Sequence, residues 1–129
     1  MKIHHIGYLV KNIDKAKINF EKLGFKETTK TSLDENRKTN IAFMENNGYT
    51  IELVSPATED SVVSGLIKKY RNSPYHLCYI ADNFEKDISE LTAGGFTQID
   101  APMAATAINN KKVVFLMNAS IGLIELLEN

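Results

Sequence analysis

The chain is short of several things. It holds one cysteine in 129 residues, no tryptophan and only three prolines. A single cysteine, Cys78, closes no internal disulfide, which predicts a cytoplasmic protein rather than a stapled secreted one. No apolar run reaches the roughly 18 residues that cross a bilayer, so no membrane span is expected. The opening Met-Lys-Ile-His-His lacks the apolar core of a signal peptide. An excess of one charge is missing too. Fifteen Lys and Arg stand against sixteen Asp and Glu, for a net charge of −1, which argues against a nucleic-acid partner held by bulk electrostatics. Linker-like and low-complexity segments are absent. What is present is a 43% share of hydrophobic residues. That suffices for a core in one domain or in two small fused halves.

The chain repeats itself. A shift of 71 positions lays His5 on His76, Tyr8 on Tyr79, Asn12 on Asn83, Gly24 on Gly95 and Phe25 on Phe96. Such self-similarity is best sought before any fold is assigned. Each copy opens with a β-branched and aromatic run, 3–10 and 76–81, that predicts a strand. A helix follows. In the first copy Asn12 or Asp14 caps it, Ile13, Ala16, Phe20 and Leu23 face inward, and Gly24 stops it. In the second, a helix beginning near Asp82–Asn83 turns Phe84, Ile88 and Leu91 inward and ends at Gly94–Gly95. Each copy closes on further strands. A hairpin is expected at Asn46-Asn47-Gly48 and a turn near 118–120. The offset there grows to 73, which a two-residue change in the intervening loop explains. Between the copies, residues 59–74 predict a linking helix with Val63, Leu66, Ile67 and Tyr70 inward. The organisation is thus one domain over 1–129, with a first module at about 1–56, a link at about 57–73 and a second module at about 74–129.

Four polar residues recur inside the repeat. Each half places a histidine near the start of its first strand, His5 or His76, and a glutamate in its last strand. The glutamates sit in Ile51-Glu52-Leu53-Val54 and Ile124-Glu125-Leu126-Leu127. Period-two alternation puts each on the face opposite its apolar neighbours. Singly, each of the four has an ordinary explanation as a wet-face or satisfied core residue. Duplication in register sets them apart. A carboxylate buried alone is costly, and a cation shared with two imidazoles offsets that cost. Two His and two Glu suit Ni²⁺, Co²⁺ or Zn²⁺, with open positions for water or substrate. His4 has Tyr75 as its counterpart and is expected to point outward.

The pattern HHIGYLVKNIDKAKINFEKLGF, YTIELVSP, PYHLCYIADNFEK and GLIELLE resembles the vicinal oxygen chelate superfamily, also called the glyoxalase/bleomycin-resistance/dioxygenase fold. That resemblance implies an α+β fold of two βαβββ modules whose mixed sheet makes a cup around one divalent metal. It implies His5, Glu52, His76 and Glu125 as the ligands. It further implies removal of a proton from the carbon next to a carbonyl, through an enolate or ene-diolate, with Glu125 as base and Glu52 as its counterpart. Two enzymes compete. One is glyoxalase I, the lactoylglutathione lyase, acting on the hemithioacetal of methylglyoxal. The other is methylmalonyl-CoA epimerase, acting on a CoA thioester. Glyoxalase I commonly has an Arg four residues after its first His and an Asn four after its second ligand. Here those positions are Leu9 and Pro56. A drug-binding resistance protein without a metal is the non-enzymatic alternative, and retention of all four ligand residues speaks against it. A homodimer with each cup built within one chain is expected. Arg37, Lys38, Lys111 and Lys112 are candidates to hold anionic groups of a thioester. Phe43, Phe115, Met117 and Cys78 are candidates to line the pocket, with core packing as their alternative role.

Overall fold

The computed structural model describes residues 1–129 and has an α+β architecture of ten strands and three α-helices. The first half runs β1 (Lys2–Leu9), α1 (Ile13–Lys22), β2 (Lys26–Glu27), β3 (Ser32–Asp34), β4 (Thr39–Asn46) and β5 (Tyr49–Pro56). Helix α2 (Ser64–Tyr70) links it to the second half and is shorter than the 59–74 stretch expected for it. The second half runs β6 (Ser73–Ile80), α3 (Phe84–Ala93), β7 (Thr97–Gln98), β8 (Met103–Ala105), a 3-10 turn (Thr106–Ile108), β9 (Lys111–Asn118) and β10 (Gly122–Leu127). The chain forms two compact units, Ile6–Tyr75 and Met1–His5 with His76–Asn129. The boundary falls inside β1, so the segment that carries His5 belongs with the second half of the chain.

In the Ile6–Tyr75 unit the strand order is β2-β4-β5-β1, with β3 on β4. Strand β5 runs parallel to β1 and antiparallel to β4. The expected hairpin is present: Asn47 and Gly48 take φ of 49° and 84°, the positive pair that a two-residue primed turn requires. Asn12 caps α1 by accepting the Lys15 N–H at 2.9 Å, a contact whose loss typically costs about 1 kcal/mol. The sheet face toward α1 buries Val10, Ala42, Met44, Ile51 and Leu53 against Ile13, Ala16 and Phe20. The opposite face carries Leu9 and Val54 against Val63 and Ile67 of the linking segment. Two expectations fail here. Leu23 is 68% exposed and Tyr70 is 52% exposed. Leu23 is the C-cap residue of α1 and has left the helical repeat, and Tyr70 is the last residue of α2.

The other unit repeats the plan, with order β6-β10-β9-β7 and β8 on β9. Strand β10 is parallel to β6 and antiparallel to β9. Asn83 caps α3 by accepting the Lys86 N–H. One sheet face packs Val114, Leu116, Ile124 and Leu126 against Ala81, Phe84 and Ile88. The other face holds Cys78, Val113 and Leu127 with Ala105 and Ile108. The growth of the repeat offset has two sources rather than the single loop change expected. Thr29 Oγ1 accepts the Phe43 N–H, and Asp100 Oδ1 accepts the Phe115 N–H. The offset is therefore 71 at Thr29/Asp100, 72 at Phe43/Phe115 and 73 at Glu52/Glu125. One extra residue enters before Phe115. The other enters the β9–β10 turn, which holds residues 119–121 where the first hairpin holds only 47–48.

Candidate metal centre

Strand pairing decides where Glu125 points. In β10 it stands opposite Cys78 of β6 and Phe115 of β9. Its neighbours Ile124 and Leu126 belong to the α3-side core, so alternation sends the carboxylate to the other face. His76 lies two residues before Cys78 and shares that face. His5 ends the Met1–His5 segment of the same unit. The three side chains meet. His5 Nε2 is 3.2 Å from His76 Nε2 and 3.3 Å from Glu125 Oε2, and His76 Nε2 is 3.5 Å from the same oxygen. All three residues are buried, with relative exposures of 1%, 4% and 4%.

These atoms suit a cation better than they suit one another. Each metal-binding imidazole offers a lone pair from a neutral ring, and the carboxylate offers only acceptors. Glu125 Oε2 is fully buried and completes no hydrogen bond of normal geometry, although two ring nitrogens face it. Adjacent ligands about 2.1 Å from a metal stand roughly 3.0 Å apart in octahedral and roughly 3.4 Å apart in tetrahedral geometry. The three separations, 3.2, 3.3 and 3.5 Å, match one face of such a polyhedron. A nitrogen/carboxylate set of this kind fits Zn²⁺, Co²⁺ or Ni²⁺.

The electrostatics are consistent with that reading. Burial pushes the Glu125 carboxyl up, but the His5 and His76 imidazoles that face it outweigh burial. The net effect holds the group well below the usual carboxylate range, so the carboxylate is ionised and available as a ligand. The His4 imidazole is held below its ordinary value, first by burial and then by His5. The outward placement expected for His4 is incorrect. It is half-buried, its Nδ1 lies 2.8 Å from His5 Nδ1, and the two rings meet edge-on with centroids 5.1 Å apart. The match between halves passes over this residue because Tyr75 is its counterpart. The adjacent histidine pair is itself the signal that points to it.

Glu52 is buried at 6% exposure in β5, opposite Gly7 of β1 and Phe43 of β4. Its register copies that of Glu125. His5 precedes Gly7 by two residues, just as His76 precedes Cys78. Phe115 meets the His76 ring edge-on at 5.1 Å between centroids. Cys78 is fully buried, with its Sγ within 4.8 Å of ring nitrogens of His4 and His5. Phe43 is buried, and Met117 is 40% exposed. Arg37 is buried beside Asp34, with Nη1 3.7 Å from Oδ2. Lys38 pairs with Asp60 at the surface. Lys112 is exposed near Glu85. Lys111 is half-buried and close enough to lower the His4 pKa electrostatically.

Two copies of one strand-and-helix plan, with buried histidines from the repeated first strand meeting a buried glutamate, define a duplicated-module fold with a candidate metal site. Residues 4–115 match the model of the glyoxalase/bleomycin resistance protein/dioxygenase superfamily, and the chain belongs to that superfamily. It is 26% identical over 116 residues to the uncharacterized protein YqjC of Bacillus subtilis strain 168, covering 89% of this chain and 81% of that one. Among solved structures, the hypothetical protein BH1468 from Bacillus halodurans C-125 superposes with a TM-score of 0.87 at 26% identity, covering 99% of this chain and 94% of that one. Methylmalonyl-CoA epimerase from Mycobacterium tuberculosis gives a TM-score of 0.85 at 22% identity over 98% of this chain and 86% of its own. A variant of the Streptomyces coelicolor methylmalonyl-CoA epimerase, solved with 2-nitronate-propionyl-CoA, gives 0.87 at 21% identity, covering 100% of this chain and 94% of that one. These epimerase likenesses are likenesses of fold.

Proposed function

We propose that this chain is a metal-dependent proton-transfer enzyme acting at the carbon beside a thioester carbonyl, of the methylmalonyl-CoA epimerase type. The observation that carries the reading is the convergence of His5 Nε2, His76 Nε2 and Glu125 Oε2 within 3.5 Å in a buried position. His5, His76 and Glu125 would hold the metal. Glu52 is the fourth ligand in this reading, on the strength of its matching register in β5. A bound divalent ion would supply Lewis-acid stabilisation of the carbonyl oxygen as it gathers charge.

The chain's own residues do the rest. Burial of His5, His76 and Glu125 keeps bulk water from the reacting carbon, so fixed dipoles and charges act at low dielectric. Phe115 packs nearly perpendicular to the His76 ring and restricts its movement. Glu125 is ionised and a weak base while it faces both imidazoles. In this scheme it turns from them when substrate enters, takes the proton from the α-carbon and returns it. Glu52, its counterpart in the other half, serves the opposite face, as racemisation requires.

The epimerase form is preferred over the glyoxalase I form on a local observation. Leu9, where glyoxalase I commonly has an arginine for glutathione, is fully buried against Val54, Val63 and Ile67. That position serves the core. The glyoxalase I form stays as the second reading because it shares the His/Glu/His/Glu pattern and the reaction type.

The test is solvent exchange. Metal-loaded protein is incubated in D₂O with methylmalonyl-CoA, and in parallel with methylglyoxal plus glutathione. The proposal expects deuterium at the α-carbon of the thioester and racemisation of a single enantiomer. Turnover of the hemithioacetal alone would favour the second reading. Turnover of neither would overturn the enzyme reading.

A further inference from the structure

We propose that His4 is a positioning residue, which accepts a hydrogen bond from His5 Nδ1–H and thereby presents the lone pair of His5 Nε2 to the metal. The inference rests on the metal reading above and extends it to a residue outside the repeated ligand set. A neutral imidazole carries one proton on its two nitrogens, and the partner of one nitrogen decides the state of the other. His5 Nε2 is the atom that lies 3.2 Å from His76 Nε2 and 3.3 Å from Glu125 Oε2. It can act as a ligand only when the proton sits on Nδ1. His4 Nδ1 faces His5 Nδ1 at 2.8 Å, a normal N–H···N distance. The edge-on ring contact, at 78° between planes, leaves the His4 nitrogen lone pair in range of that proton.

The pair also has a second arrangement. With the proton between the rings on His4 Nδ1, His5 is protonated at Nε2, the nitrogen that stands 3.3 Å from Glu125 Oε2. A metal at His5 Nε2 would take the place of the proton there, which would leave to solvent, and His5 Nδ1 would take the one from His4 Nδ1. His4 regains a proton from solvent at Nε2, so both rings end neutral in the complementary tautomer. Hydrogen-bonded supports of this kind fix the tautomer and orientation of a ligating histidine, and their loss costs roughly 10- to 100-fold in metal affinity. The matching position in the second half is Tyr75, so the inference is specific to His5.

The experiment compares zinc affinity of the full chain with that of His4→Phe and His4→Asn, by competition with a chromophoric chelator. His4→Phe keeps a ring of similar size and removes the acceptor. His4→Asn restores an acceptor oxygen. Affinity should fall about 10- to 100-fold in His4→Phe and recover substantially in His4→Asn. In the zinc-loaded wild-type protein, ¹⁵N NMR should place the His5 proton on Nδ1 and show a coupling across the hydrogen bond to His4 Nδ1. A packing role would give neither the rescue nor the coupling. His4→Phe with affinity within about twofold of wild type, or a His5 Nδ1 proton uncoupled to His4, overturns the inference and leaves the metal reading standing. Absence of zinc binding by the wild-type chain overturns both.

Discussion

His5 Nε2 and His76 Nε2 lie 3.2 Å apart, although 71 residues separate them in the chain. Two strands that open the two halves of the repeat have brought equivalent imidazoles to one point. Glu125 Oε2 completes the triangle from the last strand. That convergence, and the packing within each unit, have measurable consequences.

Removal of a ligand should cost more than removal of a support. His76→Ala should weaken zinc or nickel binding by more than the roughly 10- to 100-fold expected for a supporting residue, without unfolding the chain. Titration calorimetry with circular dichroism on the same sample checks both halves of the statement. Binding at wild-type strength would remove His76 from the site.

The two glutamates should differ in kinetics. Glu125→Gln keeps the side-chain size and removes the basic group. Turnover at saturating metal should fall by about 10²- to 10⁴-fold, the range for loss of a positioned acid or base. Glu52→Gln should lower turnover as well, with a larger share of its effect in metal affinity. Near-normal turnover of Glu125→Gln would move the base to Glu52.

The core facing α3 should behave as a tightly packed interior. Leu126 is fully buried among Val114, Leu116, Ile124 and Phe84. Leu126→Ala should destabilise by about 2–5 kcal/mol, measured by urea unfolding. A loss under about 1 kcal/mol would mean that the face is looser than its burial indicates.

The two caps should be energetically alike, since the repeat preserves them. Asn12 and Asn83 each accept the N–H three residues on. Asn12→Ala and Asn83→Ala should each cost roughly 1 kcal/mol. A large effect at one and none at the other would show that the repeat is not matched in energy.

Much of the fold is legible in the sequence, because duplication doubles every signal. A β-branched run followed by Asn, an amphipathic stretch and Gly marks strand, cap, helix and stop at both places, and the Asn-Gly pair marks the hairpin. The period-two pattern around Ile124-Glu125-Leu126 puts the carboxylate on the face away from the helix, where it lies. Other features leave no such trace. Strands β2 and β3, of two and three residues, are too short to show a period. Leu23 and Tyr70 fit helical spacing but stand at helix ends, where the chain turns away and the side chain is exposed. The match between halves turns His4 outward, because its counterpart is Tyr75. A side chain at the start of a strand can still reach a ring beside it, and the adjacent histidine pair is the one sequence signal of that contact.

Anomalous scattering tests most directly the proposal that His5, His76 and Glu125 of one chain hold a divalent ion. Crystals grown with Ni²⁺ or Co²⁺, measured at the metal's absorption edge, should show a strong anomalous peak within roughly 2.0–2.3 Å of His5 Nε2, His76 Nε2 and a Glu125 oxygen. The same experiment on His5→Ala should lose most of that peak. An anomalous map with no density among the three side chains, in protein saturated with metal, would refute the assignment of these residues as a metal centre.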